Sequence, residues 1–79
     1  MNPRVLSVEY QGDHKFLLNF SNNEKRVFDL TPYLKYPVYE ELRNESFCKR
    51  VRAFKGTIQW DNDIDFDPDR LYLESTEVL

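Results

Sequence analysis

Three stretches in the first half of the chain alternate apolar and polar residues with a period of two. Leu6, Val8 and Tyr10 alternate with Ser7 and Glu9; Phe16, Leu18 and Phe20 alternate with Leu17 and Asn19; Phe28 and Leu30 alternate with Val27 and Asp29. Successive side chains of an extended strand point to opposite faces, so this period marks strands with one buried face. Turn residues separate the runs, Gln11-Gly12-Asp13-His14 and then Ser21-Asn22-Asn23. The pattern predicts a three-stranded antiparallel meander.

Loop length fixes the register. Directly opposed residues of an antiparallel pair share a face. A two-residue loop at Asn22-Asn23 sets Phe16 against Asp29 and mixes the faces. A three-residue loop, Ser21 to Asn23, sets Phe16 against Phe28 and Leu18 against Arg26. The second arrangement is preferred, with Asn23 in the left-handed conformation that Asn tolerates.

Thr31-Pro32 closes the meander, with Thr31 read as a cap and Pro32 as a first-turn residue. Tyr39 to Arg43 is expected to make a short helical turn. Asn44 is a cap for the one main helix, expected over roughly Glu45 to Arg52. A strand then carries Phe54, Gly56, Ile58 and Trp60 on one side. The loop argument recurs here. If Asp61-Asn62-Asp63 is a three-residue loop, Trp60 faces Ile64 and Ile58 faces Phe66, all on one apolar side. Pro68 ends that C-terminal hairpin, Asp67 or Asp69 caps a short terminal turn holding Leu71 and Tyr72, and residues from about Glu74 onward are expected to fray. The fold class is therefore α+β: a three-stranded antiparallel meander, one main helix, then a C-terminal β-hairpin and a short helical turn.

At 79 residues the chain is expected to be a single domain spanning 1–79. A chain this short buries only about 60% of its unfolded surface, but six Phe, five Tyr and one Trp supply large buried area per residue. With 32% charged residues, no apolar run of membrane-spanning length and no signal-peptide pattern, the expected location is the cytoplasm. Cys48 is alone, which excludes an internal disulfide. The net charge of -3 divides unevenly: residues 1–60 carry +3 and residues 61–79 carry -6. That asymmetry argues against nucleic-acid binding over the whole surface.

The segment from Gly56 to Tyr72, GTIQWDNDIDFDPDRLY, resembles the closing segment of the small bacterial proteins grouped as domain of unknown function 2442. Val8, the FSNNEKRVFDL run from Phe20 to Leu30, Leu42 and Phe47 fit the same family pattern. Asn23 and Asp63 stand where that pattern commonly has Gly, and both residue types tolerate a left-handed backbone. The resemblance implies a curved antiparallel sheet with one main helix. It also implies a gene arrangement similar to toxin–antitoxin pairs, and hence a regulatory or antitoxin-like role. It supplies no catalytic residues.

Among candidate sites, Asp61, Asp63, Asp65, Asp67 and Asp69 occupy alternate positions. A calcium loop of the EF-hand kind needs Gly at its sixth position and Glu at its twelfth, where this chain has Phe66 and Tyr72. A looser cation site from Asp61, Asp63 and Asp65, serving a metal-dependent hydrolase or a cation-binding protein, stays as an alternative to turn residues and a solvated strand face. Lys49, Arg50, Arg52 and Lys55 form the best basic patch, the alternative being an accessory DNA-binding domain. His14 stands alone in a turn, and no Ser has a catalytic context. No cofactor is implied. Tyr33, Tyr36 and Tyr39, gathered around Pro37, either pack into the core beside Trp60 or form a protein-interaction surface, for a partner protein or a second copy. The leading reading is a non-enzymatic interaction module.

Overall fold

The computed structural model describes residues 2–78. The meander forms as the alternation requires. Strand β1 (Val5–Gly12) pairs antiparallel with β2 (Lys15–Phe20), and β2 with β3 (Lys25–Asp29). Phe16 lies opposite Phe28 and Leu18 opposite Arg26. The three-residue loop is closed by Phe20 and Glu24, with Asn23 at φ 70°. Phe16, Leu18, Phe20 and Phe28 are buried on one face.

Two details of β1 depart from the sequence reading. Its first apolar residue to turn inward is Val5, and Leu6 is 66% exposed. The register shifts between Val5 and Ser7, so Leu6 has no opposed partner and the alternation changes phase there. The first turn is also tighter than four residues. The strand runs on to Gly12, and Asp13 and His14 alone turn the chain, both with positive φ. That is the twist-matching geometry of a two-residue hairpin loop.

After β3 the Asp29 carboxylate accepts a hydrogen bond from the Thr31 amide at 2.9 Å and starts a 3-10 turn, Thr31–Tyr33. Thr31 is inside this turn and makes no side-chain cap. A second 3-10 helix covers Pro37–Arg43, with Leu42 buried. Helix α1 spans only Glu45–Cys48, capped by Asn44 through the Ser46 amide. It stops well short of Arg52. The Cys48 carbonyl, which a longer helix would offer to the Arg52 amide, accepts the Trp60 indole N–H at 2.8 Å, and Arg52 pairs in a strand. The longest α-helix is therefore not this one but α2.

The stretch from Arg52 to Gln59 is a hairpin and not one strand. Strand β4 (Arg52–Phe54) pairs with β5 (Thr57–Gln59) across a two-residue turn, Lys55 and Gly56, both with positive φ. Phe54 is consequently 41% exposed, while Ile58 and Trp60 are fully buried. Gly56 is required twice over. Its φ is +84°, and a Cβ there would sit 3.0 Å from the Arg4 Cβ. Its carbonyl accepts the Val5 amide, which ties this hairpin to the edge of β1.

The second loop also follows the sequence arithmetic. The Trp60 amide donates to the Ile64 carbonyl and the Phe66 amide to the Ile58 carbonyl, with Asp63 at φ 64° in the turn. Asp67 caps helix α2 (Pro68–Glu74) by accepting from the Arg70 amide at 2.9 Å. Beyond α2 the chain does not fray at Glu74. Thr76–Glu77 form β6, which pairs with β3 and makes the sheet four-stranded in the order β1-β2-β3-β6. Arg26 holds it there: Nε donates to Ser75 Oγ at 2.8 Å, a terminal nitrogen donates to the Ser75 carbonyl at 2.7 Å, and the guanidinium lies 4.5 Å over the Tyr72 ring. Leu79 lies outside the described residues.

The core packs between the sheet and the second half of the chain. Trp60 and Phe16 meet edge to face at 5.8 Å, and Phe28 meets Phe66 at 4.9 Å. Each fully buried large apolar side chain contributes about 1.5–3 kcal/mol relative to exposure. Among the described residues, no helix is long and apolar enough to cross a membrane.

Candidate functional site

Tyr33 ends the first 3-10 turn, Tyr36 precedes Pro37 and Tyr39 lies in the second 3-10 helix, and the three rings line one surface. Tyr33 lies edge-on to Phe66 at 5.0 Å and 89°, and Tyr39 stacks on Phe66 at 5.6 Å and 26°. Tyr36 and Tyr39 each stand 6.3 Å from Tyr33. Arg43 pins the segment from below, its Nε donating to the Leu34 carbonyl at 3.0 Å. Together the rings line a groove of about 490 Å³, completed by Asp67 and Arg70. Tyr33 and Tyr39 are half-buried, whereas Tyr36 and Val38 are 47% and 58% exposed. Burial first, and the nearby Asp65 carboxylate second, raise the Tyr39 hydroxyl pKa.

A second depression of about 570 Å³ adjoins the first. It shares the Tyr39, Phe66 and Asp67 wall and continues to Phe54, Lys55 and Asp65. All three tyrosines named from sequence are thus brought together. Phe66, Asp67 and Arg70 are the residues that sequence reasoning missed. Phe66 reads as a core residue from its alternation, and nothing local tells that its other edge lines a groove. Arg70 comes from α2, distant in sequence, and carries no signal.

The other candidates are dispersed or engaged. Asp61 is held by two cations: Arg50 Nε lies 2.7 Å from its Oδ2 and an Arg52 terminal nitrogen 3.0 Å from its Oδ1. Arg52 also donates to Gln59 Oε1 at 2.9 Å. Asp63 occupies the left-handed turn position, and Asp65 lies beyond the turn, bridging to Gln59. Asp61, Asp63 and Asp65 therefore do not converge, and no cluster of three metal-ligating side chains occurs among the described residues. Two members of the basic patch, Arg50 and Arg52, face this acidic turn. Lys49 is exposed, and Lys55 Nζ lies 5.2 Å over the Phe54 ring. The four do not form one free cationic surface.

A further polar cluster joins the first hairpin to α1. The Tyr10 hydroxyl donates to Glu45 Oε1 at 2.9 Å, the same oxygen accepts the Asp13 amide at 3.0 Å, and the ring of His14 meets the Leu42 carbonyl at 2.9 Å. A carbonyl only accepts, so His14 Nε2 carries the proton in that contact. Cys48 lies beside this cluster, fully buried, its thiol pushed up to about 11 chiefly by burial. These hydrogen bonds hold the first hairpin on α1 and on the preceding 3-10 helix.

No curated protein and no solved structure matches the chain. A family model described as protein of unknown function (DUF2442) matches residues 5–77.

Proposed function

The chain belongs to the DUF2442 family of proteins of unknown function, and from that premise we propose that it is a non-enzymatic protein-interaction module docking its partner at the Tyr33–Tyr36–Tyr39 groove. The supporting observation is the aromatic surface itself. Tyr36 and Val38 are left exposed beside a groove floored by Tyr33, Tyr39 and Phe66. Clustered aromatic side chains with polar tips dominate the binding energy of protein interfaces. A regulatory or antitoxin-like setting for this module rests on the family resemblance and not on the groove.

The test is affinity capture of partners from the native cell with the wild-type chain and with Tyr36→Ala/Val38→Ala, both exposed positions. The wild type recovers a stoichiometric partner, and the variant loses at least about tenfold in affinity while its circular dichroism is unchanged. Equal recovery by both chains overturns the reading. So does recovery of no partner together with a monomeric mass in solution.

A further inference from the structure

The two depressions share one wall, formed by Tyr39, Phe66 and Asp67. Arg70 lines only the first depression and Asp65 only the second, so opposite charges flank that wall. Both act on the Tyr39 hydroxyl: after burial, the main cause, Asp65 raises its pKa further and Arg70 lowers it. Arg70 and Asp65 nevertheless form no ion pair with each other among the described residues, and Arg70 Nε lies 3.4 Å from Glu74. Lys55 lines the second depression beside Asp65, its Nζ over the Phe54 ring. Two cations, Arg70 and Lys55, thus balance two carboxylates, Asp65 and Asp67, on a chain whose net charge is -3. Two copies repel through their net charge but not through this surface. A two-fold rotation about the Tyr39 wall lays the first depression of one copy over the second depression of the other, and Arg70 over Asp65. Each depression also has an exposed ring at its side: Tyr36, 47% exposed, lines the first and Phe54, 41% exposed, lines the second. A peptide of one charge gains on one side of the wall and loses on the other. A second copy gains on both, because a two-fold contact is reciprocal.

We infer that the groove's occupant is a second copy of this chain, in a two-fold dimer whose axis passes by the Tyr39 wall, with Arg70 of each copy seated against Asp65 of the other. This rests on the interaction-module reading and identifies its partner. Tyr36 of one copy covers the depression beside Phe54 of the other. The ion pairs set the register of the two copies, and the rings supply the buried area.

The experiment is sedimentation velocity on the full chain over a dilution series, with the wild type, Arg70→Glu, Asp65→Arg and an equimolar mixture of the two variants. Both positions are exposed and neither side chain caps α2, so the circular dichroism of each variant is expected to match the wild type. The wild type is expected to form dimers that dissociate on dilution. Each variant alone sets like charges together at both contacts, and is expected to lose at least about tenfold in self-affinity. The mixture restores both ion pairs between unlike chains, and is expected to return to within about threefold of the wild type. Mixing leaves the charges within each chain unchanged, so a contact inside one chain gives no such rescue. Wild-type dimerisation by either variant alone overturns the inference, as does no gain on mixing. So do dimers that persist undiminished in Tyr36→Ala/Val38→Ala. A wild type that is monomeric at every concentration also overturns it. The interaction module then stands if partner capture still depends on Tyr36 and Val38, and falls too if capture recovers no partner.

Discussion

Lys55 is the residue least suited to its backbone. Among the described residues five non-glycine residues have positive φ, and four are Asp, His or Asn, types that reach this region at small cost. Lys55, at φ 50°, has a long side chain with no local hydrogen bond to favour it. Lys55→Asn is therefore expected to raise unfolding free energy by about 0.5–1 kcal/mol, because Asn before Gly suits a two-residue hairpin turn. Urea titration measures this, and Lys55→Ala serves as the control with no such gain. The same contrast explains what was legible at this scale. Asn23 and Asp63 are readable as left-handed because their side chains tolerate it. The Lys55 turn is not, because lysine signals nothing about φ and the Phe54–Trp60 alternation suggests an unbroken strand.

At the scale of elements, α1 and the first hairpin are joined through Glu45. The Tyr10 hydroxyl first, and the Asp13 amide second, hold its carboxyl below the ordinary value of 4.5. Glu24, held chiefly by Tyr72 and then by Arg26, shifts the same way. A carboxyl with a depressed folded pKa stabilises the fold above its unfolded value, and that contribution is lost as pH falls through the folded value. Stability is thus expected to decline below about pH 4.5, and Glu45→Gln is expected to flatten part of that decline. Urea midpoints measured across the acid range check it; parallel curves for the two chains would count against the assignment. Tyr10 marks the other end of the same bond. Burial above all pushes its hydroxyl up to about 12, so its contribution persists through neutral pH and disappears only in strong alkali. Elements made of neighbouring residues were readable: three strands, the Asn44 cap, and a cap at Asp67 or Asp69, of which Asp67 is the one used. The length of α1 was not, because a distant indole decides where it ends.

For the whole molecule, Cys48 reports on the integrity of the core. It is fully buried and its thiol is raised to about 11. Alkylation by iodoacetamide near pH 8 is therefore expected to proceed only through opened states, with a urea dependence matching global unfolding. A labelling rate indifferent to low urea would reveal a local opening at α1. The groove belongs to this scale too, since its floor unites residues 33–39 with Phe66 and Arg70 across a chain reversal.

Sequence alone determined the three strands of the meander, the β2–β3 register and both three-residue loops, but not the register of β1. Side-chain alternation and tolerance of positive φ are properties of adjacent residues and survive any tertiary arrangement that buries one face. Tertiary structure alone decided the pairing of residues 76–77, the end of α1 and the partners of Asp61. Residues 76–77 form a strand because Arg26, far away in sequence, offers Ser75 two hydrogen bonds. Asp61 is a counter-ion because folding places Arg50 and Arg52 beside it. Such pairings depend on distances set only after the core has closed, and no local pattern encodes them.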